Sequence, residues 1–156
     1  MRVGFSSSLV VTVCAAVCGV GAAGCGDRAG RAAASTEWHA NADLALHQLT
    51  QDVAQTAVAG DSLGEARRSL ADGSRLYALV MAYSDLGGCD AIIRNVGAPP
   101  ALEATLARPC VPLGRAAASF TTATANTDPQ ALLRAGRDAE LALPLLVQAL
   151  AEMRKA

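Results

Sequence analysis

Positions near the C-terminus constrain the fold of this chain most. Leu132, Gly136, Ala139, Leu143, Leu146, Leu150 and Met153 recur at alternating intervals of four and three. That repeat places them along one side of an α-helix, whereas a strand would alternate with a period of two. Composition agrees: 52% of residues are hydrophobic but only 3% aromatic, so the core must be built mainly from Ala, Leu and Val. Such a core favours close-packed helices over a sheet, which draws on β-branched and aromatic side chains.

The rest of the chain reads as further helices. Ser35 or Thr36 caps a first helix that runs to about Ala59, with Trp38, Ala42, Ala45, Leu49, Val53 and Thr56 on one face. Asn41, Gln48, Gln51, Asp52 and Gln55 are assigned to its other sides, and Gly60 stops it. Ser62-Leu63-Gly64-Glu65 has capping-box spacing and starts a second helix that extends to about Leu86. Leu63, Ala66, Leu70, Ser74, Tyr77 and Met81 are expected to share its buried face. Gly87-Gly88 breaks it. Residues 89–97 read as a short helix or an extension of the second, Pro99-Pro100 restarts the chain in a short helix over 101–107, and Pro109 and Pro112 close it.

A third long helix is expected from Pro112 or Leu113 to about Ala125, with Leu113, Ala117, Phe120 and Thr124 in register. Asp128 then caps a fourth helix with Pro129 at its first position, where the missing N–H costs nothing. Pro144 falls inside that last helix and should kink it. These elements predict an all-α fold, an antiparallel four-helix bundle with short helices between its second and third long members.

The N-terminus carries a different signal. Arg2 precedes an apolar run from Leu9 to about Ala23, and Ala22-Ala23-Gly24-Cys25 closes it. The run is near the length of a signal-peptide core and short for a membrane span. A small residue beside a thiol is what a lipid-transferring enzyme needs. The stretch resembles the lipobox of bacterial lipoproteins, with Ala22 where leucine is usual. Lipidation of Cys25 by diacylglycerol and palmitate is therefore expected. Simple cleavage after Ala23, or retention of the segment as an uncleaved anchor, are the alternatives. The expected organisation is a signal peptide over 1–24, a lipidated cysteine and flexible tether over 25–35, and a helical domain over 36–156.

Cysteine usage is consistent with that reading. Beyond Cys14 and Cys18 in the apolar run, Cys25, Cys89 and Cys110 remain, an odd number for an exported protein. Lipidation of Cys25 leaves Cys89 and Cys110 to form a disulfide, which an oxidising exterior permits. In the chain-entropy model a loop of that size stabilises by roughly 3 kcal/mol. Zinc is a poorer reading of these two cysteines, because neither belongs to a Cys-x-x-Cys pair or has a nearby histidine.

Formal net charge is −1, and removal of Arg2 with the signal leaves the remaining side chains at −2. No basic excess points to nucleic acid. The sequence carries no Gly-x-Ser-x-Gly elbow, phosphate-cradling glycine loop, haem attachment motif or pair of Glu-x-x-His motifs. No catalytic residue and no cofactor are assigned. His39, Asp43 and His47 stand four apart and offer a weak metal-binding surface, but they drift toward the solvent side and lack a ligand from another helix. Ser119, Thr121, Thr122 and Thr124 read as a polar helix face. Arg67, Arg68, Arg134 and Arg137 read as solvated charges beside Glu65, Asp138 and Glu140.

Taken together, Ala-Gly-Cys at 23–25, the short tether, Trp38 on the first helix, two later cysteines and an Ala/Leu-rich bundle resemble the small helical lipoproteins of actinobacteria that have no assigned activity. The resemblance implies an exported protein held by a lipid at the outer face of the cytoplasmic membrane, and it carries over no catalytic residue. The expected function is non-catalytic: binding or scaffolding of a protein, a wall component or a small ligand. The alternative is a carrier that holds an apolar ligand between helices, lined by Tyr77, Met81, Phe120 and Leu143 near Pro144.

Overall fold

The computed structural model describes the backbone of residues 26–156, with side chains from residue 37 onward. The described chain is all-helical: α1 (Gly26–Gly60), α2 (Leu63–Ala71), α3 (Gly73–Gly87), α4 (Cys89–Asn95), α5 (Pro100–Leu106), α6 (Cys110–Asn126), α7 (Pro129–Glu140) and α8 (Leu143–Met153).

Helix α1 is the spine, in contact with α2, α3, α4, α7 and α8. It begins before the expected cap, so the backbone from Gly26 to Ser35 continues the helix where an irregular tether was expected. Ala32-Ala33-Ala34 explains the difference, since alanine has the highest helix propensity. Trp38, Ala42, Leu46, Leu49, Val53 and Thr56 are buried along its length. Asp52 is buried with them, whereas the sequence places it on another side of the helix. Its position fourteen residues after Trp38 brings it back to within about 40° of that side chain.

The expected second helix is two helices. Asp72 adopts an extended conformation, and its carboxylate accepts the backbone N–H groups of Ser74 (2.9 Å) and Arg75 (3.1 Å). Asp72 thus ends α2 and caps α3, a choice favoured by Gly73, which weakens helix continuity at the next residue. The break rotates α3 out of phase with α2. Its buried face is Leu79, Ala82, Tyr83 and Leu86, while Tyr77 is 67% and Met81 53% exposed. The expected face through Tyr77 and Met81 is therefore corrected. Of the capping box at Ser62, one half forms: the Ser62 hydroxyl accepts the Glu65 N–H at 3.2 Å. The Glu65 carboxylate binds arginines instead.

The expected fourth helix is also divided. Asp128 caps α7 by accepting the Gln130 N–H at 2.8 Å, with Pro129 at the first position as expected. Pro144 is in the first turn of α8, so it follows a break instead of kinking a helix interior. With no N–H on Pro144, the Glu140 carbonyl has no i+4 donor, and α7 ends there. The apolar seam survives the break: Leu132, Gly136, Ala139, Leu146 and Met153 are buried, and Leu143 and Leu150 pack half-buried against the core.

Helices α1, α3, α6 and α7 form a closed ring of neighbours, α1 beside α3 and α7, and α6 beside α3 and α7. Helix α8 extends the core against α1 and α5. Cys89 and Cys110, the first residues of α4 and α6, are joined by a disulfide with Cα atoms 5.3 Å apart. The bond closes the irregular excursion through α4 and α5 at both ends, as the sequence indicated.

Candidate functional site

The break at Asp72 has a consequence for the surface. Helices α1, α2 and α3 meet without fully closing, and a groove of about 610 Å³ remains where they converge. Helix α1 contributes Gln55, Val58 and Ala59; α2 contributes Glu65 and Ser69; α3 contributes Arg75, Ala78 and Leu79. The floor is apolar, with Leu79 and Ala59 each 5% exposed. Val58 forms an open wall at 69% exposure.

One side of the groove is polar and charge-balanced. Glu65 is ion-paired to Arg68 and, at 3.2 Å, to Arg75, while Arg75 also lies 3.9 Å from the Asp72 carboxylate. The Arg68 hydrogen bond holds the Glu65 carboxyl below its ordinary range, and both arginines add to that effect by their charge. Ser69 is 4% exposed and lines the groove. A smaller depression of about 350 Å³ shares Val58 and Glu65 and adds Ala57, Asp61 and Glu140, so the surface on that side is acidic. A separate groove of about 460 Å³ lies between α1 and α4, bounded by Leu44, Ala45, Ile92 and Val96 among others.

Two buried polar groups lie deeper between the helices. Gln48 Nε2 donates to both Asp52 carboxylate oxygens at 3.2 and 3.3 Å. Burial raises the Asp52 pKa above its ordinary value of 3.8; the Gln48 hydrogen bond opposes the shift and the nearby Asp85 charge adds to it. Tyr83 stacks on Phe120 with ring centroids 4.2 Å apart. Its hydroxyl lies near the Thr56 side chain and has no hydrogen-bond partner of good geometry among the described residues. Burial pushes the Tyr83 phenol well above its ordinary pKa, with the Asp138 charge adding to the rise.

The residues singled out from sequence are dispersed. Cys25 and the expected signal peptide over 1–24 lie outside the described residues. Asp43 and His47 are neighbours: His47 Nδ1 is 2.8 Å from the Asp43 backbone carbonyl and 3.4 Å from its carboxylate. His39 stacks instead on Trp38, with centroids 3.7 Å apart. Among the described residues no three His, Cys, Asp or Glu side chains converge in a metal-binding arrangement. Thr121, Thr122 and Thr124 donate their hydroxyls to carbonyls of their own helix. Arg134 pairs with Asp128 at 3.5 Å. Of the residues proposed to line a ligand space between helices, Tyr77 and Met81 are exposed, Phe120 is buried and Leu143 is half-buried.

The groove residues themselves were missed by sequence reasoning, because three helices supply them and no single helix shows a pattern. The one local clue was Asp72-Gly73-Ser74, a cap signal inside an apparently continuous helix. Among the described residues no single helix is long and apolar enough to cross a membrane. In comparisons with known proteins, no family model, no curated protein and no solved structure matches this chain.

Proposed function

We propose that this chain is an exported lipoprotein, anchored through Cys25 at the outer face of the cytoplasmic membrane, whose helical domain binds a ligand or partner without catalysing a reaction. We read the ring of α1, α3, α6 and α7 as an antiparallel four-helix bundle, with α8 prolonging its fourth member. The observation that carries the binding half is the open, mainly apolar groove between α1, α2 and α3, bounded by the exposed Val58. Large side chains such as Leu46, Leu49, Leu86, Leu113, Leu132 and Leu146 occupy the interior. Recognition is thereby directed to the outer surface. The anchoring half rests on Ala23-Gly24-Cys25 at the end of the apolar run.

Helix α1 sets the geometry of such a module. At 1.5 Å per residue, Gln55 stands about 44 Å along the helix from Gly26, so the groove lies at the end remote from the anchor. Native mass spectrometry of the full chain extracted from membranes tests both halves. The expected result is a diacylglycerol-bearing Cys25 at the mature N-terminus together with retained ligand or partner mass. An intact 1–24 segment would replace the lipoprotein with a signal-anchored protein. A lipidated chain that retains nothing at any protein concentration would overturn the binding role.

A further inference from the structure

The groove restricts the chemistry of what it can hold. Its volume of about 610 Å³ suits a small organic molecule, since such sites span roughly 300–1,000 Å³. Its two charged lining residues, Glu65 and Arg75, neutralise each other at 3.2 Å. Glu65 is already shared with Arg68, and Arg75 also faces Asp72, so neither charge is left over for a ligand. The adjoining surface carries two further carboxylates, Asp61 and Glu140, which disfavour an anion there. Ser69 is the polar group buried within the groove, at 4% exposure, and its hydroxyl makes no hydrogen bond with another described residue. The hydroxyl is not sealed off, since Tyr83 alone among the described residues has a fully buried side-chain oxygen without a partner, so a group lying in the groove can reach it.

We propose that the α1–α2–α3 groove takes a small uncharged amphiphile, its apolar body against Val58, Ala59, Ala78 and Leu79 and one hydrogen-bonding group on the Ser69 hydroxyl. The inference rests on the reading of this domain as a binding module and adds its ligand class. An anionic ligand of the same shape is disfavoured, because it meets no unpaired cation and an acidic border. A partner protein seated on the exposed Val58 wall would bury the groove without needing Ser69.

A matched pair of probes tests the assignment. N-phenyl-1-naphthylamine is neutral, with an apolar body and one N–H; 8-anilino-1-naphthalenesulfonate has the same aromatic amine and adds a sulfonate. Each is titrated by fluorescence into the full chain in phosphatidylcholine nanodiscs, with empty discs subtracted. The neutral probe should show saturable 1:1 binding, and the sulfonate should bind about tenfold more weakly or less. Ser69→Ala should weaken the neutral probe about three- to tenfold, the range for one lost hydrogen bond. Ala78→Trp, at an exposed lining position, should abolish binding while leaving the circular-dichroism melting midpoint unchanged. If that variant does not fold, Val58→Trp fills the same space from the opposite wall. Val147→Trp, at an exposed site on α8, should change nothing.

Absence of saturable neutral binding, equal or tighter binding of the sulfonate, or binding that survives a folded groove-filling variant would overturn the assignment. Retained partner mass on the natively extracted protein would still support the binding module in that case, so the two failures are distinguishable.

Discussion

Gly60 and Gly136 meet backbone to backbone: a Cβ on either residue would lie 2.9 Å from the other's Cα. This contact is where the end of α1 crosses α7, and only two residues without side chains allow it. The pairing explains why a glycine occupies the apolar seam of α7, at a position where alanine would otherwise be the better helix former. Gly136→Ala should therefore destabilise the domain by about 1–3 kcal/mol through overpacking. Gly114 provides the control, since a Cβ there meets nothing within 4 Å on the exposed side of α6. Gly114→Ala should stabilise by roughly 0.5–1 kcal/mol. Urea denaturation of both variants checks the pair, and equal shifts would show that the crossing is not tight.

The C-terminal seam makes a second prediction. Leu146 is fully buried, whereas Leu141 is 58% exposed in the turn between α7 and α8. Leu146→Ala removes core surface and leaves a cavity, which typically costs about 2–5 kcal/mol. Leu141→Ala should change stability by less than about 0.5 kcal/mol. Chemical denaturation midpoints decide between them. A similar loss at both positions would mean that α8 does not close the core.

Asp52 predicts how stability responds to acid. Its carboxyl binds a proton more tightly in the folded than in the unfolded chain, because burial raises its pKa above 3.8 and the Asp85 charge adds to that. The group therefore contributes no penalty below the unfolded value. As pH rises from about 3.8 through the raised folded value, its ionisation costs stability, and the deficit persists above that window. Asp52→Asn keeps an oxygen for the Gln48 amide and removes the charge. It should raise the melting temperature at pH 7 and reduce the Asp52-dependent loss of stability between acidic and neutral pH. Melting curves of the two proteins across pH 3–8 test this, and parallel profiles would refute it.

Tyr83 carries a buried hydroxyl with no hydrogen-bond partner among the described residues, so its removal should cost little. Tyr83→Phe preserves the stacking on Phe120 and deletes the desolvated group. The expected result is unchanged stability or a gain of about 1 kcal/mol. A loss greater than about 1 kcal/mol in equilibrium unfolding would show that the hydroxyl is bonded in solution.

Local chemistry written in the sequence determined which segments are helical and where several of them start. Asp128 and Pro129 cap and begin α7, Ser62 caps α2, Gly60 ends α1, and Cys89 pairs with Cys110. Each of these outcomes depends on residues within about one turn, or on a pair with no other partner among the described cysteines. Which face each helix buries was a tertiary decision. A single extended residue at Asp72 re-phases α3, and this turns Tyr77 and Met81 outward while Tyr83 goes inward. Asp52 is the opposite case, because helical periodicity alone brings it back beside Trp38 and the packed helices bury it there despite its charge. The groove is the extreme case, because Val58, Ser69 and Leu79 belong to three helices and become neighbours only when those helices pack. Helical periodicity is a property of one segment, whereas burial and concavity arise from the angle between segments, which depends on the summed fit of all their side chains.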